Sequence, residues 1–119
     1  MPSEKPARRL EDIIENARAA LRYTAGMNEI AFEENRMVYD AVERCLERIS
    51  EAAAKLGEIE AVLAPDQPRR DIRALGNRLS HNYDEISQDR LWKIVQDDLP
   101  SLCADCEAAL RRLRGNSGE

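Results

Sequence analysis

The stretch Val38–Leu56, VYDAVERCLERISEAAAKL, sets Val38, Ala41, Val42, Cys45, Leu46, Ile49, Ala52, Ala53 and Leu56 at steps of three and four. Steps of that size put the apolar side chains on one stripe of an α-helix. Glu43, Glu47, Arg44 and Arg48 fall on its outer faces and read as solvated surface. With Asn28 as a candidate N-cap, the pattern predicts one helix of about thirty residues, failing near Gly57 or a turn later. Upstream, Leu10, Ile13, Ile14, Ala17 and Leu21 repeat the same spacing, and Gly26 offers an end for that first helix.

Downstream, Ala64-Pro65-Asp66-Gln67-Pro68 is the clear breaker, because each proline disfavours helix just before it. A third helix is predicted from about Arg69 to His81, and a short fourth from Ser87 or Gln88 through Trp92 and Val95. The last begins near Asp98, with Pro100 in its first turn, where a missing N–H costs nothing. Its apolar face is Leu99, Leu102, Cys103, Cys106, Leu110 and Leu113, and the tail after Arg114 frays. The prediction is all-α: an up-and-down bundle of about four to five helices forming a single domain over 1–119, its ordered core spanning about 8–114. The long apolar second helix leaves surface for a partner, so a dimer is expected.

Composition narrows the function. The chain has 119 residues, 43% of them hydrophobic and 4% aromatic, with five glycines and five prolines, which argues against many short strands and turns. Eighteen basic against 23 acidic residues give a net charge of −5, which excludes a protein that coats duplex DNA by charge alone. No stretch approaches the roughly 18–20 apolar residues of a membrane span. The N-terminus turns acidic where a signal peptide needs an apolar run. Cys45, Cys103 and Cys106 are an odd number and read as reduced thiols, so the chain is expected in the cytoplasm.

Against that acidic background, Arg69–Tyr83 (RRDIRALGNRLSHNY) sets four arginines and the chain's one histidine against a single aspartate, about +3 locally. Clustered guanidinium forks suit phosphate oxygens. Histidine titrates near neutral pH and suits moving a ribose 2′-OH proton. On a helix Asn77 and Arg78 share the face of His81, while Arg73 lies two turns back and to the side. The bland alternative is a solvated arginine face with a histidine at a helix end.

Other features weigh less. Cys103-x-x-Cys106 has the spacing of half a zinc site, but without a second pair it reads as buried cysteines, so no metal site is expected. A di-metal carboxylate site of the ferritin type needs Glu-x-x-His repeated, and position 78 is Arg. Trp92 reads as core or interface before it reads as a base-stacking platform. Glu51, in an alanine-rich turn, reads as a buried polar contact, with plain exposure as the alternative. Arg111, Arg112 and Arg114 complement a helix C-terminus and need no ligand.

Gly76-Asn77-Arg78-Leu79-Ser80-His81-Asn82-Tyr83, followed by Leu91–Leu102 (LWKIVQDDLPSL), resembles the HEPN-domain toxins of the HepT-like family. These are small helical proteins encoded beside a minimal nucleotidyltransferase. Arg9–Ile14 and Ile49–Leu56 also look like that family's first and second helices, so the resemblance covers about residues 8–114. It implies a dimeric endoribonuclease that needs no metal or other cofactor, acts on RNA, and forms the toxin half of a type VII-like toxin–antitoxin pair. The family motif is an arginine, four to six residues, then histidine, often with tyrosine two residues on. His81 matches the histidine, Asn77 the polar residue after the arginine, and Tyr83 the tyrosine to which the partner antitoxin, a nucleotidyltransferase, transfers AMP.

The motif arginine is where this chain departs. Gly76 occupies its usual position; Arg73 leaves seven residues before His81, and Arg78 leaves two. The site expected from the resemblance is therefore His81 as general acid or base, with Arg73, Arg78 and Asn77 at the phosphate and Tyr83 as AMP acceptor. The alternative is a degenerate HEPN protein, a binding subunit for a nucleotidyltransferase or for nucleotides.

Overall fold

A computed structural model describes residues 4–57 and 88–118. Its elements are α1 (Glu4–Tyr23), α2 (Glu29–Glu34), α3 (Arg36–Gly57), α4 (Gln88–Lys93), a π-helical turn (Ile94–Asp98) and α5 (Leu99–Gly118). No strand occurs among the described residues. The all-α bundle predicted from periodicity is the observed fold.

α1 lies between α3 and α5 and packs on both. Its Leu10, Ile13, Ile14, Ala17 and Ala20 are buried against Val42, Cys45, Leu46, Ile49, Ala52 and Leu56 of α3, and Leu99, Leu102, Cys103, Cys106 and Ala109 of α5. Each fully buried aliphatic side chain contributes roughly 1.5–3 kcal/mol, against about 0–1 for a surface ion pair. Packing therefore sets the helix order, and the charged faces follow. Leu21 is only partly buried, because Ala20 turns inward at the end of α1.

The first helix stops where the chain supplies its own cap. Thr24, 3% exposed, donates its hydroxyl to the carbonyl of Ala20 at 3.0 Å, satisfying a buried polar group locally. Gly26 then adopts φ +80°, a conformation that side chains with a Cβ disfavour, and turns the chain toward α2.

Three boundaries differ from those predicted, the first at the C-terminus, where α5 continues to Gly118 although the sequence predicts fraying after Arg114. Asn28 caps the next helix through its Oδ1, which accepts from the Ala31 N–H at 2.8 Å, but that helix ends after Glu34. Asn35 is extended, with φ −106° and ψ 92°, and its Oδ1 accepts from the Val38 N–H at 3.1 Å, starting α3 afresh. The expected thirty-residue helix is thus two helices, each opened by an asparagine cap. Conversely, the two helices expected across residues 88–114 are one continuous helical run. The Leu99 N–H bonds to the carbonyl of Ile94, five residues back. Pro100 lacks an N–H and its ring crowds the preceding turn, and the widened π turn carries the helix past it.

Candidate functional site

The residues that sequence reading places at the site, Arg73, Asn77, Arg78, His81 and Tyr83, lie outside the described residues, in the chain between α3 and α4. So do the predicted third helix and the Pro65/Pro68 breaker.

α4 is anchored by aromatic packing. Trp92 sits 5.3 Å, centroid to centroid, from Phe32 of α2, and Phe32 sits 5.7 Å from Tyr39 of α3. Trp92 is partly buried against the core, as expected of a packing residue. The Arg36 guanidinium lies 5.2 Å from the centre of the Tyr39 ring and also pairs with Asp40 at 3.1 Å. Burial, reinforced by Glu43, pushes the Tyr39 phenol above its ordinary value. Tyr39 is therefore a neutral packing side chain across the physiological range.

A cleft of about 520 Å³ runs along the seam of α1 and α5, lined by Glu11, Ile14, Glu15, Arg18, Glu107, Leu110, Arg111 and Arg114. Two ion pairs cross it, Arg18 with Glu107 and Arg114 with Glu11. The Cys103 thiol donates to Oε2 of Glu107 at 3.9 Å. Hydrogen bonding and charge from Glu107 raise the Arg18 guanidinium further above its usual range, so it stays cationic. Burial, then the charge of Glu107, pushes the Cys103 thiol up. A raised thiol is a poor nucleophile, and paired guanidinium groups move no protons near neutral pH. The cleft is bridged by two largely exposed ion pairs, a latch between the first and last helices that adds little to the packing beneath it.

Sequence reading missed this latch, assigning Arg114 to the helix end alone. The signal was present: Glu11, Glu15 and Arg18 form an i, i+4, i+7 stripe on α1. Glu107, Arg111 and Arg114 form a matching stripe of opposite order on α5, as two antiparallel helices need. Cys45, Cys103 and Cys106 are buried and form no disulfide, in agreement with their reading as core thiols. Burial also raises the Cys45 thiol. Glu51, expected to make a buried polar contact, is exposed instead.

The sequence profile of the family described as "Ribonuclease HepT-like" matches residues 13–109. The chain belongs to the HepT-like ribonuclease family. A Methanocaldococcus jannaschii protein provisionally named as an RNase is 34% identical over 98 residues, covering 82% of this chain and 90% of its own length. A Thermococcus cleftensis protein, named with similar reserve as ribonuclease HepT, is 34% identical over 96 residues, 78% of this chain and 84% of its own. A second M. jannaschii protein with a provisional RNase name is 29% identical over 115 residues, 97% of this chain and 95% of its own. No solved structure matches the chain. The HepT-like match includes the segment carrying His81 and Tyr83, whereas Glu11, Arg111 and Arg114 of the α1–α5 cleft fall outside it. A ribonuclease-type function follows from the family. No described helix is long and apolar enough to cross a membrane.

Proposed function

We propose that this chain is a metal-independent endoribonuclease, the toxin half of a toxin–antitoxin pair whose other half is a minimal nucleotidyltransferase. The observation that carries this reading is the HepT-like match across a span holding His81-Asn82-Tyr83. The reaction is attack by a ribose 2′-oxygen on the adjacent phosphorus. A base takes the 2′-OH proton, the P–O5′ bond breaks, and an acid protonates the departing 5′-oxygen. The products are a 2′,3′-cyclic phosphate and a 5′-hydroxyl.

Each chain has one histidine, yet the reaction uses a base and an acid. A homodimer or higher assembly that sets two His81 side chains around one groove supplies both. In this scheme Arg73 and Arg78 offset charge building on the phosphate and Asn77 positions it, with no protein-bound metal in the step. Attack of the Tyr83 hydroxyl on the α-phosphorus of ATP in the nucleotidyltransferase, with loss of the phenol proton and departure of pyrophosphate, places an AMP phosphodiester two residues from His81 and silences the enzyme. The chain acts in the cytoplasm, as its reduced thiols suit.

The test is RNA cleavage by purified protein in excess EDTA, with mass spectrometry confirming that Tyr83 is unmodified. Cleavage that survives EDTA and disappears in His81→Ala supports the proposal. An inert wild type overturns the catalytic reading. Gly76, in the usual place of the motif arginine, favours a second reading for that outcome: a degenerate subunit that binds nucleotides or the nucleotidyltransferase without cutting RNA. Retained binding with no cleavage at any enzyme concentration identifies it.

A further inference from the structure

We draw no further inference here: the strongest candidate, the cleft along the outer seam of α1 and α5, sets three glutamates against three arginines, so its charge selects no ligand, and nothing in the structure shows what covers it.

Discussion

The ring of Trp92 on α4 lies 5.3 Å from the ring of Phe32 on α2, with their planes tilted by 40°. Phe32 is fully buried, and Trp92 is the chain's single tryptophan, so its emission reports this contact directly. Phe32→Ala removes an aromatic side chain from a closed core and is expected to cost about 3–5 kcal/mol. Urea unfolding followed by fluorescence checks this. The folded variant should emit to the red of wild type and unfold at lower urea. An unchanged midpoint would show that α4 is held by other contacts.

The second asparagine cap gives a smaller and more local effect. Asn35→Ala removes the acceptor for the Val38 N–H and is expected to cost about 1 kcal/mol, while Asn35→Asp keeps most of the stability. Thermal unfolding of the two variants beside wild type separates them. If both lose the same amount, the side-chain oxygen is not what starts α3.

These two sites also show what a sequence can and cannot display. The apolar stripes of α1, α3 and α5 were legible because burial follows the 3.6-residue period, whatever the neighbouring helix contributes. The break at Asn35 was not, since Phe32 and Tyr39 are both buried and lie seven residues apart, the spacing of an unbroken helix. The π turn was hidden for a related reason. Pro100 reads locally as a helix start, and only the burial of Ile94 and Val95 together with Leu99 and Leu102 keeps the run helical through it. The α1–α5 latch joins residues 89 and 103 positions apart, beyond any local pattern. The candidate site is the opposite case. Residue types and spacing within Arg69–Tyr83 can be read without any tertiary contact, so the sequence carries a proposal for its chemistry, while its geometry lies outside the described residues.

Glu43 makes stability depend on pH in an unusual direction. Burial holds its carboxyl above the usual 4.5, Glu47 and Asp40 push the same way, and Arg36 opposes them. A carboxyl raised by folding binds its proton more tightly in the native state. Its contribution therefore favours folding at low pH and is lost as pH rises from the ordinary value through the raised one. Glu43→Gln is expected to be more stable than wild type at neutral pH, with the advantage vanishing below the ordinary glutamate value. Urea midpoints from acid to neutral pH test this, and an equal offset at every pH would show that charge is not the cause.

Gly76 offers the most direct test of the proposed chemistry. Four residues separate it from His81, which is the spacing the family's motif arginine takes. An arginine there would supply a two-pronged cation to a phosphate gaining charge in the transition state, and one such donor is commonly worth about a hundred- to a thousand-fold in rate. Gly76→Arg is therefore expected to raise kcat for RNA cleavage in EDTA by up to that factor, with KM changing far less. Gly76→Lys should gain less, because an ammonium lacks the planar fork. Gly76→Ala controls for the stabilisation that any side chain would bring at a glycine in the expected third helix. A gain in Gly76→Arg that is abolished by His81→Ala places both residues in one reaction. If Gly76→Arg cleaves no faster than Gly76→Ala, the position does not face the phosphate. Arg73→Ala and Arg78→Ala in the wild-type background then identify which native guanidinium does.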